Sequence, residues 1–181
     1  VKTIVDQVDA MKRLVNEFRD YARLPAAQLA AVNLNDLILD IVQLYDNDST
    51  NNPVSLELDA MAPAIKGDSQ LLRQVIHNLV QNAQDAGGSE ITIRTQWIEA
   101  SGRVRLSVLD SGTGFDEQVL KRAFEPYVTT KAKGTGLGLA VVKKIADEHG
   151  ARVNIKNRLE AGIVVGAQVS LSLPTDNGTH S

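Results

Sequence analysis

The feature that most constrains this chain is a pair of glycine clusters, at residues 110–114 and 134–138, on either side of a segment rich in Thr and Lys. Glycine lets backbone N–H groups approach an anion without a Cβ in the way. A helix that begins near Gly136 would also direct the positive end of its dipole at the same anion. The pattern predicts a mobile lid over a phosphorylated ligand, although the same glycines also suit a flexible loop that ends at a helix N-cap.

Composition limits the classes of protein to which the chain can belong. Its 181 residues, 43% hydrophobic and 23% charged, suit one globular domain with an appendage. The net charge of −3 argues against a nucleic-acid-binding surface. The absence of cysteine fits a reducing cytoplasm. No apolar run is long enough to span a membrane, so we expect a cytoplasmic domain, with any inner-membrane anchor of the parent protein outside this chain.

The first 24 residues carry a narrow apolar seam whose members are spaced alternately by three and four, which is typical of a coiled coil or a helical hairpin. The seam consists of Val1, Ile4, Val8, Met11, Val15, Phe18 and Ala22. Pro25 ends this helix and begins a linker over residues 25–32. The pattern favours a helix that needs a partner helix, in a segment of a longer protein, over an ordinary surface helix of the main domain.

The rest of the chain alternates irregularly between helical and strand patterns, which predicts an α+β fold with a mixed sheet and helices on one face. Asn33 or Asn35 caps a first helix, Asp68 caps a long helix that reaches Ala86, and a third helix ends before Gly150. Strand patterns occupy residues 54–58, 64–66, 91–98, 104–110, 153–156 and 164–173. Residues 175–181 read as a flexible tail.

The helix that begins after Asp68 places Asn78 and Asn82 one turn apart, beside its apolar arc. Asparagine is a middling helix former, so such a pair needs an explanation. An amide oxygen that binds a hard cation, or an amide donor that meets a phosphate, supplies one. A solvated polar face is the alternative.

Four segments, taken in order, resemble the characteristic boxes of bacterial sensor histidine kinases. Residues 71–83, 110–114, 124–131 and 134–138 are similar to the N box, the first glycine box, the F box and the second glycine box. The resemblance implies that residues 33–174 form the catalytic ATP-binding domain, a two-layer α/β sandwich of the Bergerat or GHKL type shared with gyrase, Hsp90 and MutL. Residues 1–24 resemble the end of the second dimerisation helix in nitrogen-regulation kinases of the NtrY/NtrB type.

The resemblance also implies a ligand set for ATP and Mg²⁺. Asp110 would accept a hydrogen bond from the adenine amino group, and Asn82 would coordinate Mg²⁺ with support from Asn78. Asp85 stands where some relatives carry a basic phosphate ligand, and Gly166-Ala167 stands where many have Gly-Thr. The other implied nucleotide-binding residues are Gly112, Gly114, Thr130, Lys131, Lys133, Gly134, Thr135, Gly136, Leu137 and Gly138.

The implied activity is transfer of the γ-phosphoryl group of ATP to a histidine outside this chain, for relay to a response regulator, in a protein that dimerises through its helical hairpins. Asn78 occupies the position at which related ATPases carry a catalytic Glu, and an amide cannot act as a general base. None of His77, His149 and His180 resembles the acceptor, and His149 suits a cation placed against a helix C-terminus.

Two other classes of function stay open. An ATPase clamp of the Hsp90 or MutL kind would need the catalytic Glu and a transducer domain. A degenerate nucleotide-binding interaction module would be expected to have damaged boxes, whereas the boxes here are intact.

Overall fold

The computed structural model describes residues 2–46, 54–125 and 138–176. The helices in these ranges are α1 (Lys2–Ala22), α2 (Leu34–Asp46), α3 (Ser69–Asp85), α4 (Glu117–Arg122) and α5 (Gly138–Glu148). The strands are β1 (Ala30–Val32), β2 (Val54–Glu57), β3 (Ile65–Gly67), β4 (Ile91–Ile98), β5 (Arg103–Asp110), β6 (Arg152–Glu160) and β7 (Ile163–Pro174). None of these helices is both long and apolar enough to cross a lipid bilayer.

The main sheet has the strand order β2, β4, β5, β7, β6 in the described part of the chain. Strand β2 is parallel to β4, whereas the other neighbouring pairs are antiparallel. Strands β1 and β3 form a separate antiparallel pair. The prediction of a mixed sheet is therefore confirmed.

One face of the main sheet is apolar because alternate residues of each strand point to it. In β4, Ile91 and Ile93 are buried, and the register places them opposite Asp110 and Val108 of β5. Helices α2, α3 and α5 contribute to the same hydrophobic core. The opposite face is more polar, and Arg105 is exposed there. This two-layer α+β arrangement agrees with the fold class that the sequence predicts.

Helix α3 lies at the centre of the core, and its start is set by Asp68. One oxygen of the Asp68 carboxylate accepts hydrogen bonds from the N–H groups of Gln70, at 3.0 Å, and Leu71, at 3.2 Å. Capping of this kind satisfies N–H groups that the first turn leaves without partners. The apolar arc of the helix is buried and includes Leu72, Val75, Ile76, Leu79, Val80 and Ala83.

Asn33, rather than Asn35, caps α2. The Asn33 side-chain oxygen accepts a hydrogen bond from the N–H of Asp36 at 3.1 Å. The Asn35 carboxamide instead donates to the carbonyl of Asp59 at 2.9 Å and accepts from the Thr95 hydroxyl at 2.8 Å. Asn35 thus connects α2 to β4.

His149 is buried and connects the end of α5 to the start of α3. Its Nε2 accepts a hydrogen bond from the backbone N–H of Asp68 at 2.9 Å, and its Nδ1 lies 2.8 Å from the carbonyl oxygen of Ile145. Because a backbone N–H can only donate, Nε2 is the acceptor in the contact with Asp68. His149 thus lies directly after α5, at the helix C-terminus where it was expected, and its ring also meets a backbone donor at the start of α3.

Replacing Asp68 with alanine is expected to reduce the free energy of unfolding by about 1 kcal/mol at pH 7, because the helix cap is lost. Partial burial raises the pKa of Asp68, but backbone N–H donors from Gln28, Leu71 and Gln70 together lower it below its ordinary value of 3.8. Stability from a lowered carboxyl pKa is present above the unfolded-state pKa and is lost as the pH falls through the folded-state pKa.

The difference between parent and Asp68→Ala should therefore shrink as the pH falls below about 4, which denaturant titrations from pH 7 to pH 2.5 would measure. An Asp68→Asn control keeps an amide oxygen at the cap and should lose less stability at pH 7. A difference between parent and Asp68→Ala that stays constant with pH would contradict the assignment.

Helix α1 contacts the rest of the chain mainly through its C-terminal part. The Lys144 ammonium donates to the Tyr21 carbonyl at 2.9 Å and lies 4.8 Å from the centre of the Tyr21 ring. By contrast, the seam residues Ile4, Met11 and Phe18 are 68%, 65% and 51% exposed. The seam is thus left uncovered within a single chain.

Three features differ from the sequence expectations. Strand β1 lies inside the range assigned to the linker, where Ala31 pairs with Lys66 of β3. Helix α4 has no counterpart among the predicted elements. Thr175, expected in the flexible tail, is buried, and its hydroxyl donates to the Gly102 carbonyl at 3.2 Å, while the N–H of Asp176 donates to Ala64 at 3.0 Å. Short elements held by distant partners carry little local pattern.

Candidate functional site

Asp110, the last residue of β5, is 5% exposed and points to the helix-covered face of the sheet. Its Oδ1 accepts hydrogen bonds from the N–H groups of Gly112, at 2.9 Å, and Ala167, at 3.1 Å. Hydrogen bonds to a carboxylate from backbone donors are among the stronger ones in proteins. They hold the Asp110 side chain in one orientation, which is what specific recognition of a ligand requires.

The loop that follows Asp110 packs so closely that only glycine fits at several positions. A Cβ on Gly112 would lie 2.6 Å from the Cβ of Ala86, and Gly114 has a φ of +78°. On β7, a Cβ on Gly166 would overlap the carbonyl oxygen of Asp110. The predicted first glycine box is therefore a tight backbone loop between the C-terminal end of α3 and strand β7.

The asparagines of α3 lie between this loop and the start of α5. The Asn78 carboxamide is half-buried and donates to the carbonyl of Gly138 at 3.4 Å. Ala86, two turns further along the chain, is the residue that contacts Gly112. Asn82 is half-buried and falls between these two positions on the same side of α3. The structure thus brings Asn78, Asn82 and the Asp110 loop to one region.

Asp85 makes different contacts from those expected of a nucleotide ligand. Its Oδ2 accepts a hydrogen bond from the Arg13 guanidinium of α1 at 2.9 Å, and its Oδ1 accepts from the Gln81 amide at 3.1 Å. The Asp85 side chain is only 13% exposed. A carboxylate is stabilised beside a guanidinium and would be repelled by phosphate, so this ion pair to α1 differs from the expectation that Asp85 binds the nucleotide.

The predicted lid falls mainly outside the described residues. Gly138 is described and begins α5, and apart from neighbours in its own helix no residue in the described ranges lies within 4 Å of the position that its Cβ would take. The predicted ligands that lie outside the described ranges are Thr130, Lys131, Lys133, Gly134, Thr135, Gly136 and Leu137.

Strands β6 and β7 supply contacts to Asp110 and its loop that the sequence analysis missed. The N–H of Ala167 contacts Asp110, and the Arg158 guanidinium donates to the Asp110 carbonyl at 2.7 Å. The Asn157 carboxamide contacts the backbone of Phe115, just after the glycine loop. Every residue other than proline has a backbone N–H, so the role of the Ala167 N–H cannot be recognised from the sequence. Asn157 and Arg158 appear in the sequence only as two polar residues near the end of a strand.

Comparison with known proteins agrees with this geometry. The profile of the family described as "Histidine kinase-, DNA gyrase B-, and HSP90-like ATPase" matches residues 67–177, which is more than half of the chain. The chain belongs to this family. The match covers α3, the Asp110 loop and strands β4 to β7, which are the elements that build the site. The predicted resemblance is confirmed.

Curated relatives are sensor kinases of bacteria. The sensor histidine kinase ZraS of Escherichia coli O157:H7 is 36% identical over 97% of this chain, and the nitrogen regulation protein NtrY of Azorhizobium caulinodans is 32% identical over 99%. The chain spans 38% of the length of that ZraS and 25% of that NtrY. It therefore corresponds to a part of each relative.

Solved structures of histidine kinases share the fold. The catalytic domain of ThkA has a TM-score of 0.71 and 33% identity, and the match covers 82% of this chain and 96% of that domain. ThkA in complex with the response regulator protein TrrA has a TM-score of 0.79 at 27% identity, over 99% of this chain and 52% of that one. Full-length ShkA in complex with AMPPNP has a TM-score of 0.77 at 27% identity, over 96% of this chain and 37% of that one.

Proposed function

We propose that this chain is the catalytic part of a two-component sensor histidine kinase, which binds Mg–ATP and donates its γ-phosphoryl group to a histidine outside the chain. The observation that carries the proposal is the nearly buried Asp110 carboxylate, held by the N–H groups of Gly112 and Ala167 beside a glycine loop. A carboxylate held in this way presents an acceptor to the amino group of adenine. The AMPPNP complex of ShkA supports an adenine nucleotide as the ligand.

Asn82 and Asn78 are the residues that we propose for the metal side of the site. Magnesium favours hard oxygen ligands and is usually held by one or two protein groups together with substrate phosphates. Two half-buried asparagines one turn apart on α3 fit this chemistry. When bound, the ion offsets the negative charge of the phosphates. In the part of the chain that the structure describes, no cluster of three or more His, Cys, Asp or Glu forms a different metal site.

The proposed reaction is a phosphoryl transfer. An imidazole nitrogen of the acceptor forms a bond to the γ-phosphorus, while the bond from that phosphorus to the bridging oxygen breaks and ADP leaves with the electron pair. The Asn78 amide cannot deprotonate water, which favours this transfer over hydrolysis. His149 is not an acceptor because both of its ring nitrogens lie within hydrogen-bond distance of the backbone.

The proposed partners are a second copy of the protein, through the exposed seam of α1, and a response regulator. A helix with a coiled-coil seam buries it against another helix, and the α1 seam is exposed in the single chain. The complex of ThkA with TrrA supports the regulator. We further propose an NtrY-like role in nitrogen regulation and a membrane anchor in another part of the parent protein.

Labelling in trans tests the transfer. The chain is incubated with γ-labelled ATP, Mg²⁺ and a separate helical hairpin that bears the acceptor histidine. We expect slow, acid-labile labelling of the hairpin. A tether gives an effective concentration of about 1 mM, so about 10 µM hairpin should react roughly 100-fold more slowly than a tethered one.

The control is the same hairpin with its histidine replaced by glutamine, which should stay unlabelled. Incubation of the chain without a hairpin should release little phosphate. Rapid ATP hydrolysis with no labelled histidine would instead favour the ATPase-clamp alternative.

A further inference from the structure

Asn157 of β6 makes a two-point contact with the backbone just after the glycine loop. Its Oδ1 accepts a hydrogen bond from the N–H of Phe115 at 2.7 Å, and its Nδ2 donates to the carbonyl of Phe115 at 2.8 Å. Each end of the carboxamide matches a backbone group of opposite polarity, so one rotamer and one amide orientation satisfy both bonds.

The same side chain excludes any residue but glycine at position 114. A Cβ there would lie 2.8 Å from the Asn157 Oδ1 and 2.6 Å from a methyl carbon of Val164, and Gly114 has a φ of +78°. Asn157 therefore occupies the space that glycine leaves beside the loop. The loop is packed against this strand as well as against α3.

The neighbouring residue holds the other end of the loop. The Arg158 guanidinium donates to the backbone carbonyl of Asp110 at 2.7 Å. Successive side chains of a strand point to opposite faces, so Asn157 and Arg158 reach the loop from two sides. Asp110 and Phe115, which flank the two glycines of the loop, are thus both hydrogen-bonded to β6.

We infer that Asn157 is a positioning residue for nucleotide binding, which holds the glycine loop in the conformation that places Asp110 and the backbone of residues 112–114 against the base. The inference rests on the proposed nucleotide site. A loop with two glycines samples many conformations when it is free, and a ligand that must select one of them binds more weakly. Fixing the end of the loop before the nucleotide arrives removes this cost.

Replacing Asn157 with aspartate tests the inference through pH. An ionised carboxylate still accepts from the Phe115 N–H, but its other oxygen faces the Phe115 carbonyl, 2.8 Å from the position of Nδ2, and repels it. A protonated aspartate has the shape and the donor of asparagine and restores both bonds. Nucleotide affinity should therefore be weakened at pH 8 and recover as the pH falls.

The measurement is the Kd of an adenine nucleotide for the 181-residue chain between pH 8 and pH 4, expressed at each pH as the ratio of variant to parent. We expect Asn157→Asp to bind about tenfold more weakly at pH 8 and within about twofold of the parent at pH 4, since an aspartate is largely protonated only near its ordinary pKa of about 3.9. Asn157→Ala should be weakened by a similar factor at every pH, because it has no group to protonate.

Asn154→Asp is the matched control, since Asn154 is exposed on the same strand and on the opposite face of the sheet. It should bind like the parent throughout. Melting curves at each pH ensure that every variant is folded during the titration. Amide exchange adds a readout without nucleotide, in which the Phe115 N–H should exchange faster in Asn157→Ala than in the parent.

The outcomes distinguish a failure of the proposed nucleotide-binding function from a failure of the positioning role of Asn157. If the parent itself fails to bind adenine nucleotides, the proposed function is wrong. If the parent binds but Asn157→Asp binds equally well at pH 8, or shows a loss that does not change with pH, Asn157 does not position the loop.

Discussion

Replacing Asp110 with asparagine is expected to weaken ATP binding by tenfold or more while leaving the fold intact. The variant keeps a side-chain oxygen for the N–H groups of Gly112 and Ala167, which Asp110 holds at 2.9 and 3.1 Å. It loses the negative charge and presents an NH₂ group where the adenine amino group needs an acceptor. A hydrogen bond to a charged group contributes about 1.5–3 kcal/mol, which corresponds to roughly 10- to 150-fold in Kd.

The same substitution should change base specificity. Inosine triphosphate carries an oxygen where ATP carries the amino group, and the amide that Asp110→Asn introduces can donate to that oxygen. We expect the preference for ATP over inosine triphosphate, measured by titration calorimetry, to decrease or reverse. Asp116→Asn is the control. The Asp116 side chain caps α4 by accepting a hydrogen bond from the N–H of Gln118, and Asn caps a helix as well as Asp does. Unchanged ATP affinity in Asp110→Asn would rule out this carboxylate as the adenine acceptor.

Replacing Asn82 with alanine is expected to abolish the part of ATP affinity that depends on magnesium. The amide oxygen of Asn82 is the protein ligand that we propose for Mg²⁺, and a methyl group cannot replace it. The quantity to measure is the ratio of ATP Kd values without and with Mg²⁺, which should fall to about one in the variant.

Two further variants make this result specific. Asn82→Asp retains an oxygen ligand and should keep the dependence on magnesium. Gln74→Ala removes a polar side chain two turns earlier on α3 and should behave like the parent. If magnesium enhances ATP binding equally in Asn82→Ala and in the parent, the metal ligand is another group.

Much of the fold could be predicted because its signals are local. The Asp68 cap and the apolar arc of α3 follow from side chains three and four residues apart, and the structure shows both. The alternation of β4 and β5 likewise places Asp110 at the end of a buried strand. The resemblance to histidine kinases names Asn78, Asn82 and Asp110 as ligands, and these roles stay predictions.

Contacts between distant residues could not be predicted in this way. Ala167 and Asp110 are 57 residues apart, and Arg13 and Asp85 are 72 apart. Nothing in the run Ala30–Val32 marks it as a strand, because its partner is β3 rather than a hairpin neighbour. The same holds for His149, whose Nε2 accepts a hydrogen bond from the N–H of Asp68, 81 residues away.

The sequence by itself determined most of the helices and strands, because backbone geometry imposes periods of 3.6 and 2 on local patterns. It also determined the fold class and the family, because the four boxes keep their order. The tertiary structure alone decided which groups those residues meet: that Asp110 is held by β7, that Asp85 pairs with α1, and that Asn157 and Arg158 hold the two ends of the glycine loop. Such partners depend on how distant segments pack, and a polar side chain or a backbone N–H can serve many partners until packing selects one.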